Sequence, residues 1–163
     1  MNSSNDLKER LAFIIVDNSY KKTSRIKGVV RELGADPSVV SRGLYCRRTL
    51  FAAIEAYENG KIPVIFLEES FAKKEVESGT LISIALREYL KGKGGLIFPT
   101  SESRELQLSK LSNVFKEEDS DWYIEKDLNP LSEDFNSREI SRVCNEFLSY
   151  VDNKEERSER KHG

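Results

Sequence analysis

Three segments of this chain are almost unbroken runs of apolar side chains: "LAFIIV" at 11–16, "VIFL" at 64–67 and "GLIF" at 95–98. A strand with one wet face alternates apolar and polar residues, whereas a strand covered on both faces does not. Runs of four to six residues are also too short to cross a membrane. They therefore predict a parallel sheet with helices on each face. Two weaker segments, "SVVSRGLYC" (38–46) and "DWYIEK" (121–126), complete a set of five strand candidates.

Helical spacing fills the intervals. "SRIKGVVRELG" puts Ile26, Val29, Val30 and Leu33 on one stripe, with Gly34 as its stop. "RRTLFAAIEAYENGK" places Leu50, Ala53, Ile54 and Tyr57 together, and "GTLISIALREYLKGKGG" places Leu81, Ile84, Ala85 and Leu90. "SRELQLSKLSNVFK" supplies Leu108, Leu111 and Phe115, and "SREISRVCNEFLSYV" supplies Ile140, Val143, Cys144, Phe147 and Val151. The strand–helix pair thus recurs five times. This predicts an α/β fold, a three-layer, doubly wound, five-stranded parallel sheet of (βα)5 type. The expected organisation is a flexible start over 1–9, one domain over 10–151 and a charged tail over 152–163.

Composition excludes several function classes. With 26 Lys and Arg against 28 Asp and Glu, the formal charge of -2 does not describe a general nucleic-acid binder, and no DNA contact is expected. Cys46 and Cys144 have no CxxC spacing, so two reduced thiols in a cytoplasmic protein are expected. No signal peptide or membrane span is legible. The single histidine, His162, lies in the polar stretch "KEERSERKHG", a poor place for a catalytic base. "KGKGG" (91–95) lacks the spacing of a phosphate-binding loop and precedes a strand, so it reads as a helix-ending turn. The basic cluster Lys21, Lys22, Arg25, Lys27 and Arg31, with Arg42, Arg47 and Arg48, reads as a solvated helix face, with attraction of an acidic partner as the other option. Of Trp122 and Tyr123, one belongs in the core, because neighbouring strand residues face opposite sides.

Open parallel sheets bind ligands beyond the carboxyl ends of their strands. The residues there are Asp17 and Asn18 after the first strand, Glu68 and Glu69 after the third, Thr100 and Ser101 after the fourth, and Tyr123 then Lys126 on the last. Each has a plain structural account. Asp17 and Asn18 can turn the chain and cap a helix, Glu68 and Glu69 can be solvated loop residues, and Lys126 a surface lysine. Their gathering at one rim is what points to function.

In order and spacing, residues 10 to 151 resemble a response-regulator receiver domain of flavodoxin-like architecture. "FIIVDNSYKKTSRIKGVVRELG" is similar to that family's first strand, acidic pair and first helix. "GLIFPTS" is similar to its fourth strand ending in a hydroxyl residue, and "DWYIEKDLN" to its fifth strand and following lysine. The resemblance implies that Asp17 and Asn18 match the magnesium-holding acidic pair and Glu68 the phosphoacceptor aspartate. It further implies that Thr100 matches the hydroxyl that senses the phosphoryl group, Tyr123 the aromatic switch, and Lys126 the lysine that pairs with the phosphoryl oxygen.

The departures are chemical. Asn18 removes a negative charge from the cation site, so magnesium held by Asp17 and Glu68 is expected to be weakened, and no cofactor is firmly expected. Glu68 carries its carboxylate one methylene further out than an aspartate. Asp127 follows Lys126 where the family usually has proline, so that peptide is expected to be trans. These departures imply a pseudo-receiver, not an enzyme, in which Glu68 reaches toward Lys126 without phosphoryl chemistry. Its signalling partner would be a protein engaging the face formed by the fourth helix, fifth strand and fifth helix. The chain ends soon after the fifth helical pattern, so a stand-alone regulator is expected. The alternative is a flavodoxin-like small-molecule-binding protein or small enzyme using the same rim.

Overall fold

The computed structural model describes residues 4–68, 79–90, 93–100, 122–124 and 129–162. In chain order the elements are α1 (Ser4–Arg10), β1 (Leu11–Val16), α2 (Tyr20–Glu32), β2 (Ser38–Val40), α3 (Tyr45–Glu58) and β3 (Ile62–Leu67). They continue with α4 (Gly79–Tyr89), β4 (Gly95–Pro99), β5 (Trp122–Ile124) and a long α5 (Ser137–His162). The architecture is α/β, an all-parallel sheet with helices on both faces. β1 lies between β2 and β3, β4 follows β3, and the three residues of β5 extend the row on β4.

The period-two alternation of each strand sorts its side chains between two cores. Phe13 and Ile15 of β1, Val64 and Phe66 of β3, and Leu96 and Phe98 of β4 share one core with α1, α2 and α5. There Phe66 stacks on Phe98 at 5.1 Å between centroids and meets Phe135 edge-on at 6.0 Å. Ile14, Val16, Ile65, Leu67 and Ile97 face the other core, with Tyr45 and Ala53 of α3 and Ile82 and Leu86 of α4. Burial on both faces is the reason these runs do not alternate.

Two glycines serve backbone needs. Gly34 ends α2 at φ +86°, in the left-handed region that glycine enters without penalty. At Gly95 a Cβ would lie 2.5 Å from the Pro63 carbonyl oxygen and 2.8 Å from the Trp122 ring, so β3, β4 and β5 meet there only around a glycine.

Several local expectations change. Within the start, Ser4–Arg10 form α1, whose Leu7 is buried in the first core. Arg10, the last residue of α1, donates two hydrogen bonds to Asp152, at 2.8 and 3.1 Å. The charged segment that follows Val151 continues α5 as far as His162. The strand expected over 38–46 stops at Val40, because Gly43 and Leu44 adopt positive φ and turn the chain into α3. On α4 the buried stripe is Ile82 and Leu86, while Ile84 is exposed; on α3, Ile54 is exposed. Cys144 is buried, and burial alone pushes its thiol up to about 12, so it stays protonated and unreactive at neutral pH. Among the described residues no helix is long and apolar enough to cross a membrane.

If α1 belongs to the core, Leu7→Ala costs about 2–5 kcal/mol in a urea unfolding titration. A loss below about 0.5 kcal/mol, the ordinary range of a surface change, would mean that α1 does not pack in solution.

Candidate functional site

Register brings the rim together. Val16 pairs with Leu67, and Leu67 with Pro99, so the next residues of the three strands, Asp17, Glu68 and Thr100, stand in one row. The ladder continues through them. The Glu68 N–H donates to the Val16 carbonyl at 3.0 Å and the Thr100 N–H to the Leu67 carbonyl at 3.1 Å, while the Asp17 N–H donates to Val40 at 3.1 Å. By the same alternation all three fall on the face covered by α2 and α5. All three are buried, Asp17 and Thr100 at 0% exposure and Glu68 at 2%. The row crosses the point where the chain reverses its direction of strand addition, with β2 on one side of β1 and β3 and β4 on the other.

Asp17 does two things at once. Its Oδ1 accepts the Ser19 N–H at 2.8 Å, which makes the turn out of β1. Ser19 is then the N-cap of α2, its hydroxyl accepting the Lys22 N–H at 3.3 Å. The turn and the charge are therefore not competing accounts of Asp17. The Oδ2 lies 3.3 Å from the Lys22 ammonium. The same ammonium is ion-paired with Glu68 Oε2.

Lys22 is the residue that the sequence pattern misassigned. It was grouped with a solvated basic face, yet it is 6% exposed and lies between two buried carboxylates. The signal was present: 22, 26, 29, 30 and 33 continue one helical stripe, and Lys22 is its first position. Because the Ser19 cap starts α2 at Tyr20 and not near Ser24, that turn exists and carries Lys22 to the rim. Of the other basic residues, Arg25 donates to the Phe135 carbonyl at 2.7 Å, fastening the loop before α5.

The electrostatic logic follows. Two carboxylates one strand spacing apart, ~4.8 Å, repel by on the order of 3 kcal/mol at an effective dielectric constant of about 20. A cation between them removes that cost. Magnesium is the cation implied by the resemblance, but Asp17 and Glu68 as arranged do not fit it. An ammonium already stands in contact with both, and a divalent ion at about 2.0–2.1 Å from each oxygen would have to share its space and oppose its charge. Among the described residues no group of three or more His, Cys, Asp or Glu gathers that could hold a metal ion.

The remaining site residues divide simply. Asn18 is half-buried beside Asp17. Tyr123 lies on β5 in register with Leu96, and its side chain lies outside the described residues. Glu69, Ser101, Lys126, Asp127 and the helix expected over 103–116 also lie outside them. No protein-family model matches the chain, and no curated protein matches it.

Two stability measurements check this geometry. Lys22→Met removes the ammonium from two buried carboxylates and costs about 3–5 kcal/mol. In a double-mutant cycle with Glu68→Gln the costs are less than additive, by about 0.5–3 kcal/mol, whereas additive costs would mean that the two side chains do not interact. The Thr100 hydroxyl is buried and, among the described residues, has no hydrogen-bond partner. Thr100→Val is therefore neutral or stabilising, and a loss above ~1 kcal/mol would show that the hydroxyl is satisfied in solution.

Proposed function

We propose that this chain is a receiver-like signalling module, of flavodoxin-like (βα)5 architecture, whose rim works by fixed charge and not by phosphoryl transfer to an aspartate. The observation that carries the reading is the row of Asp17, Glu68 and Thr100 across three adjacent parallel strands at the sheet's switch point. A strand order of β2-β1-β3-β4 with β5 outermost supports the flavodoxin-like assignment. Thr100, a buried hydroxyl beside Glu68, stands where a charge change at the rim would first be felt.

In this reading Glu68 supplies a permanent negative charge, and Lys126 is the further partner that the resemblance implies for it. The module binds a protein partner through the face that includes β5 and α5, where Tyr150 is exposed. The rim biases that face between two arrangements, and a bias of about 1.4 kcal/mol changes their ratio tenfold.

Mass spectrometry after treatment with acetyl phosphate and magnesium is expected to show no acyl phosphate. A stoichiometric adduct on Glu68 or Asp17 would overturn the fixed-charge reading. Amide hydrogen exchange compares wild type with Glu68→Gln, and the variant is expected to change protection on β5 and α5 beyond the rim itself. Unchanged exchange there would reduce the module to a scaffold without a switch.

A further inference from the structure

We infer that Lys22 is a tethered counterion that replaces a divalent metal, so that the charge state of the rim is written into the chain and does not depend on cation supply. The inference goes beyond the receiver reading and rests only on the arrangement of Asp17, Lys22 and Glu68. It would hold equally if the domain had another function.

The geometry points this way for three reasons. First, both carboxylates are buried, with exposures of 0% and 2%, so solvent cannot screen them and a cation must stand close by. Second, the ammonium meets both, at 3.3 Å from Asp17 Oδ2 and in direct contact with Glu68 Oε2. With three donors on one nitrogen it can serve two acceptors at once. Third, its place is imposed by covalent structure. Lys22 is in the first turn of α2, capped by Ser19, which in turn hydrogen-bonds Asp17. Four residues later Ile26 begins the run of buried side chains that locks α2 onto the sheet. A free ion pays an entropic cost to enter such a site, whereas this cation arrives with the fold.

Lys22 brings one positive charge to the two carboxylates, where a divalent ion would bring two. Removing the lysine should recreate what it displaced: two buried, adjacent oxygen ligands with a gap between them, a preference of hard divalent cations.

The test uses manganese, a paramagnetic ion that takes the same oxygen ligands as magnesium. Free Mn2+ is followed by electron paramagnetic resonance, and melting is followed with and without the ion. Wild type is expected to leave the Mn2+ signal undiminished and to melt at the same temperature in its presence. Lys22→Ala is expected to melt lower, to remove Mn2+ from solution saturably at one ion per chain, and to regain part of the lost melting temperature when it does. Adding Glu68→Gln to Lys22→Ala should abolish that binding. Should Lys22→Ala not fold, Lys22→Gln, which keeps the stem and loses only the charge, takes its place with the same expected gain. Stoichiometric Mn2+ binding by wild type that Asp17→Asn abolishes would overturn the inference. So would a Lys22 variant that folds and stays blind to Mn2+.

Discussion

The rim depends first on the register of three parallel strands. Val16, Leu67 and Pro99 lie side by side, and the ladder runs one residue further through the backbone N–H groups of Asp17, Glu68 and Thr100. A slip of one residue in β3 would send Glu68 to the opposite face, among Leu67's neighbours, and bring Leu67 to Lys22. The slip is prevented by the same residues that make the strands hydrophobic. Phe66 is locked between Phe98 and Phe13 on one face, with centroids at 5.1 and 6.4 Å, and Ile65 and Leu67 are buried on the other. Core packing thus holds the polar row in place without any polar contact being needed to define it.

Three charged side chains are then buried at the edge of that core, which is costly unless they pair. Pairing is arranged by local chemistry of low cost. Asp17 accepts the Ser19 N–H, Ser19 caps α2, and the capped helix presents Lys22 back to Asp17 and across to Glu68. The turn, the cap and the ion pair form one closed sequence of contacts within six residues, plus the residue that follows β3. Glu68 is the long-range member, brought to the ammonium from the end of the neighbouring strand.

Much of the arrangement was legible in the chain. Continuous apolar runs locate the strands, and the first polar residue after each run locates Asp17, Glu68 and Thr100. The stripe Ile26, Val29, Val30, Leu33 locates α2, and every one of these is buried. Lys22 escaped because a lysine beside Lys21 and Arg25 reads as surface, and because the start of α2 was placed four residues late. α1 escaped for a related reason. Seven residues with one buried leucine carry too little periodicity to be recognised, and α1 is held by packing against β1 and α5 and by the Arg10–Asp152 pair.

The sequence by itself determined the class of fold and the identity of the rim's acidic and hydroxyl side chains, since burial on both faces of a strand and the end of an apolar run are local properties. Only the tertiary structure decided which cation meets those acids. Lys22 and Glu68 are 46 positions apart in the chain, and whether a lysine is solvated or buried depends on what the sheet register and the helix cap bring against it. That is a property of the assembled core and of its low dielectric, not of the residues one at a time.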